Sequence, residues 1–129
     1  MDRKFDLTER LIDFACSCLH LSERLPTTLA GNLISKQFIR CATSPALHYG
    51  EAQGAESRSD FIHKMKVCLK ELRETYNCLL LITKLKWVNE IEGKTILKEN
   101  DELIAIFITS CKTAHRNNVI NKPYEGPNF

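Results

Sequence analysis

The stretch Gln37–Asn77 constrains the fold more than any other, because it is two long helical patterns joined by one short polar turn. Its first half sets Phe38, Ile39, Cys41 and Ala42 on apolar positions. It then turns polar, with Ser44, His48 and Glu51 spaced four and three apart on a single helical face. Its second half opens on Ser57 followed three residues later by Asp60, a capping-box pattern directly before an apolar series. Gly54 ends the first pattern. The turn from Gly54 to Ser57 is short enough to send the chain back antiparallel.

The same periodicity runs through the rest of the chain. A first helix is predicted from about Phe5 to Leu25, with Leu7, Leu11, Phe14, Cys18, Leu21 and Leu25 forming a seam and Ile12, Ala15 and Leu19 widening it. Asp2, Asp6, Glu9 and Asp13 form an acidic stripe in its opening turns, where the helix dipole favours negative charge. Pro26 closes it. A second helix is predicted from Thr28 to Gln53, with Leu29, Leu33 and Gln37 leading in and a kink or irregular turn at Pro45. The third, from about Ser59 to Val88, carries Phe61, Met65, Cys68, Leu72, Tyr76, Leu79 and Ile82 on one face. Asn89–Thr95, around Gly93, reads as a loop. A fourth helix is predicted from Leu97 to Arg116, with Leu103, Phe107, Cys111 and Ala114 inward and Ile104, Ile106 and Ile108 adding apolar width.

These patterns predict an all-α, up-down-up-down antiparallel four-helix bundle over residues 1–118, with an irregular tail over 119–129 that holds two prolines and a glycine. With 129 residues, 4 prolines and 5 glycines, one core is expected and a many-turned sheet is not. The first residues carry charge throughout and do not read as a signal peptide, and no apolar run reaches spanning length. The reading is a cytoplasmic protein without membrane attachment. In that setting the 6 cysteines are expected as free, mostly core thiols. Cys16 and His20 share a helical side, but Cys18 points nearly opposite, so no metal site and no cofactor is expected.

Two groups of side chains carry the functional argument. Ser44, His48 and Glu51 have the residue types of a nucleophile, a base and an orienting carboxylate. Stacked on one helix they project in parallel, whereas a triad needs its base approached from two directions, so a polar inter-helix or inter-subunit cluster is expected and an enzyme is not. The second group, His63, Lys66, Lys70 and Arg73, recurs at three, four and three along the third helix and aligns three permanent cations. The net charge is only +2. It is nevertheless concentrated: residues 36–86 hold nine Lys or Arg against five Asp or Glu, while the segments on either side are each at −1.

The string Gln37, Arg40, Thr43, Ser44, Tyr49, Glu51, Ala52, then Glu56, Ser57, Asp60, Phe61, Ile62, Lys64, then Leu69, Lys70, Glu71, Glu74 and Thr75 resembles a bacterial four-helix bundle family. That family was first noticed as proteins encoded in intervening sequences of large-subunit ribosomal RNA genes. The chain departs from its pattern at Pro45, Ala46, Leu47 and His48, where the family usually has small residues and an Asn. The resemblance implies a ring-like homo-oligomer, typically a homopentamer, in a bacterial cytoplasm. It also implies kinship with accessory proteins of diversity-generating retroelements, which bind nucleic acid and a reverse transcriptase through a basic surface. Taken together, a non-enzymatic bundle that binds RNA or DNA through its basic helix face is expected, with a protein-only scaffold as the alternative. Repetition around a ring multiplies the phosphate contacts a weak patch can make.

Overall fold

A computed structural model describes residues 6–126. Its four helices are α1 (Leu7–Ser22), α2 (Leu29–Gln53), α3 (Arg58–Lys84) and α4 (Glu90–Val119), and no strand occurs among the described residues. Each helix starts the same way. Asp6, Thr28, Ser57 and Asn89 precede the first turns, and each side-chain oxygen accepts the backbone N–H three residues on, at 2.8–3.1 Å. Asp60 completes the Ser57 cap by accepting the Glu56 N–H at 3.3 Å, and the Lys64 ammonium holds its carboxylate at 2.9 Å.

The helix ends depend on backbone geometry. Beyond α3, Lys86 N–H donates to the Thr83 carbonyl and Trp87 N–H to the Ile82 carbonyl, with Lys86 left-handed at φ 59°. Beyond α4, Asn121 and Lys122 repeat the arrangement onto Asn118 and Asn117, with Asn121 at φ 56°. Both are Schellman closures, which usually place Gly or Asn at the left-handed position.

Short connections make successive helices antiparallel. α2 packs against α1 and α3, and α4 packs against α3 and more lightly against α1. Gly31 permits the first turn, since a Cβ there would lie 1.9 Å from the Pro26 carbonyl oxygen. The core runs the length of the bundle through Leu11, Phe14, Leu21, Phe38, Phe61, Met65, Leu72, Leu79, Ile82, Leu103 and Phe107. Each such side chain contributes roughly 1.5–3 kcal/mol on burial. Tyr49 meets Phe107 edge-to-face across the bundle, ring centres 5.9 Å apart.

Several sequence expectations are corrected. The loop expected at Asn89–Thr95 is helix, because Asn89 is a cap and Gly93 is there for contact: a Cβ would meet Thr83 Oγ1 at 2.9 Å. α3 stops at Lys84, so Trp87 and Val88 belong to the connection, and α1 stops at Ser22 in a tightened turn before Pro26. Its expected start at Phe5, and Asp2 of the acidic stripe, lie outside the described residues. Helix α2 passes through Pro45 without an irregular turn. The proline is buried, and its carbonyl meets the Cys68 thiol of α3 at 3.7 Å, so packing holds the segment helical. On α3, Thr75 is fully buried where Tyr76 was expected, its hydroxyl donating to the Glu71 carbonyl at 2.8 Å. Surplus apolar surface, predicted for the first and fourth helices, is most extensive on α2, where Leu29, Leu33, Ile39 and Leu47 are exposed. The cysteines are free thiols, buried except for Cys16. After α4 the described part of the tail is tied down as far as Tyr124: Arg58 donates to the carbonyls of Asn117, Lys122 and Pro123, and Tyr124 packs beside Phe61 with ring centres 6.4 Å apart.

Candidate nucleic-acid interface

His63, Lys66, Lys70 and Arg73 are all exposed on α3, as their spacing predicts. The structure adds partners from α4. Lys66 lines an open groove together with Cys111, Lys112, His115, Arg116, Val119 and Ile120. Burial holds the Cys111 thiol above its ordinary value, and the nearby Lys66 ammonium opposes that shift.

What makes this side cationic is the placement of the acids. Glu71 and Glu74 are close enough in sequence to neutralise the stripe, yet both are turned to α2, where Arg40 binds Glu71 at 2.9 Å and also pairs with Glu74. On α4, Glu92 is held by Arg24 from the turn after α1, and Glu99 and Glu102 by Arg10 of α1. Asp60 and Glu90 pair with Lys64 and Lys94 one turn along their own helices. Every carboxylate of α3 and α4 except Asp101 is thus in an ion pair. Among the described residues no carboxylate lies within 4.0 Å of Lys66, Lys70, Arg73, Lys84, Lys86, Lys98, Lys112 or Arg116.

The spacing of these cations has a further regularity. Lys66 and Lys84 are eighteen residues apart, as are Lys94 and Lys112, and eighteen residues is five whole turns of an α-helix. Each pair therefore marks one line along its helix. Arg73 falls within about 20° of the α3 line, and Lys98 and Arg116 within about 40° of the α4 line. Sequence reasoning missed Lys84, Lys94, Lys98, Lys112 and Arg116 because it read runs of three and four. The eighteen-residue repeat was the signal that would have found them.

In the other predicted group two of the three side chains meet. His48 Nδ1 and Glu51 Oε2 meet at 3.4 Å along α2, with the His48 side chain partly and the Glu51 side chain largely exposed. Among the described residues no hydrogen bond joins Ser44 to either of them. Among the described residues no group of three His, Cys, Asp or Glu could hold a metal ion, and no helix is long and apolar enough to cross a membrane.

A family model described as "23S rRNA-intervening sequence protein" matches residues 3–109. The chain belongs to that family. Among solved structures, this 23S rRNA-intervening sequence family member is similar to a protein of unknown function from the S23 ribosomal protein family of Bacteroides thetaiotaomicron VPI-5482. The identity is 28% and the TM-score 0.76, over 81% of this chain and 97% of the other. No curated protein matches the chain. The family match covers all of α1, α2 and α3 and most of α4, so it takes in both lines of cations up to Lys98 and leaves Lys112 and Arg116 beyond its end.

Proposed function

We propose that the protein is a non-enzymatic, self-assembling bundle of the bacterial cytoplasm that binds nucleic acid along the α3–α4 side. The observation that carries this reading is the sorting of charge. All acids on α3 and α4 but Asp101 are engaged by Arg10, Arg24 and Arg40 or by a lysine one turn away, while eight lysines and arginines are left facing solvent. Such a face attracts a polyanion through counterion release, without reading bases.

Assembly strengthens the reading. Leu29, Leu33 and Leu47 lie within about 40° of one another on α2, and Leu29 is 89% exposed. An apolar stripe of that kind marks a protein contact, and a ring requires it to meet a different surface on the neighbouring copy. A homo-oligomer, a pentamer in the form the family resemblance suggests, then presents several copies of the cationic side to one strand. A reverse transcriptase as protein partner rests on the resemblance alone.

The test is retention of RNA and DNA by wild type and by the K66E/K70E/R73E variant at two salt concentrations. Wild-type binding should weaken steeply with salt, and the variant should lose it while keeping its helix content and mass. Equal binding by both proteins, or no wild-type binding at low salt, favours the protein-only scaffold.

A further inference from the structure

The α3 line of cations leads to the one tryptophan of the chain. From Lys66 to Lys84 the line covers roughly 27 Å of helix. Where α3 ends, a wide groove opens between its last turn and the first turn of α4, lined by Arg24, Lys84, Lys86, Trp87, Asn89 and Lys94 among others. Trp87 is half-buried, one part of its surface packed on the core and the rest on the groove. Its backbone N–H is bonded to the Ile82 carbonyl at 3.1 Å, so its main chain is anchored in the helix closure. The preceding residue, Lys86, is held left-handed at φ 59°, a conformation that a lysine rarely adopts, and it is exposed and lines the same groove. Arg24 and Lys94 are engaged by Glu92 and Glu90, whereas Lys84 and Lys86 have no carboxylate within 4.0 Å among the described residues.

We infer that this groove takes an unpaired nucleotide of a single strand, its base stacked on Trp87 and its phosphates on Lys84 and Lys86, with the strand continuing along α3 toward Lys66. The inference rests on the nucleic-acid reading and adds to it the form of the ligand. Cations alone accept any polyanion. An aromatic surface in one groove with two unengaged lysines favours a ligand that alternates anionic groups with flat rings, and only an unpaired base has its ring face free. Duplex DNA satisfies the α3 line but cannot use Trp87.

The lone tryptophan makes the test direct. Its emission is followed as oligothymidylate or duplex DNA is added at low salt, while anisotropy of the same labelled nucleic acids reports total binding. Oligothymidylate should quench Trp87 saturably and duplex should not. The K84E/K86E variant should lose the quench. Trp87→Leu, which keeps an apolar contact on the core and is checked by thermal melting, should lower the ratio of single-strand to duplex affinity about 5- to 100-fold. Single-strand binding by anisotropy with unchanged emission overturns the Trp87 site and leaves the cationic side standing. Emission that changes on dilution of the protein but not with oligothymidylate overturns it in favour of a second copy covering the groove. An absence of all binding removes the nucleic-acid reading itself.

Discussion

Asn100 of α4 donates its side-chain amide to the Leu72 carbonyl of α3 at 3.3 Å, and both residues are fully buried. Among the described residues the enclosed side-chain Oδ1 of Asn100 has no hydrogen-bond partner. The amide fixes how far α4 has slid along α3, and so sets Lys94 and Lys112 against Lys84 and Lys66.

That arrangement trades stability for register. An enclosed polar atom without a hydrogen bond costs about 1–3 kcal/mol. Asn100→Leu should therefore raise the urea midpoint, by an amount equivalent to about 1–2 kcal/mol, with an unchanged denaturant slope. A lower midpoint would mean that the amide contributes more than its unpaired oxygen costs.

The thiols give a pH prediction with a definite sign. Burial pushes Cys68 up to about 12 and also raises Cys18. A group whose value is raised by folding stabilises the fold fully below its ordinary range, near 9.0, and that contribution is lost as the pH climbs toward the folded value. Stability should fall between about pH 9 and 12, by about 1.4 kcal/mol per unit for each thiol involved. A thiol reagent at neutral pH should react rapidly with exposed Cys16, and with all 6 cysteines only after denaturation.

Lys86 is strained where glycine would not be. Lys86→Gly should leave the α3 closure intact and stabilise the protein by up to about 1 kcal/mol, read as a higher melting temperature. The same substitution should weaken oligothymidylate binding, so stability and affinity move in opposite directions.

Assembly is tested on α2. Replacing Leu33 and Leu47 together by Glu should reduce the light-scattering mass to that of one 14.8 kDa chain without loss of helix content. A wild-type protein already at that mass in micromolar solution would remove the ring.

The fold was legible because its signals are local. Ser57 with Asp60, Thr28 before the second helix, and the seam from Leu7 to Leu25 each announce themselves within a turn or two of sequence. What the sequence concealed depends on contacts between helices. Gly93 looks like a turn residue until Thr83 is placed against it, and Leu33 looks like core until α2 is rotated by its neighbours. The cationic side lies between these cases. Lys66, Lys70 and Arg73 could be read from one helix, but the removal of Glu71 and Glu74 by Arg40 could not, because that pairing spans more than thirty positions.

The light packing of α4 against α1 has a kinetic meaning. Arg10 of α1 and Arg24 just beyond it hold this end of the chain to α4 largely through charge, whereas α2, α3 and α4 share most of the large core side chains. The first helix is then the element that detaches most readily, and salt, which screens exposed ion pairs, acts on it first. In native-state amide exchange, Leu11 and Phe14 should lose protection before Leu72 and Phe107, and added salt should widen the gap. The protein would breathe along its α1 edge, while the side carrying Lys66, Lys84 and Trp87 stays closed.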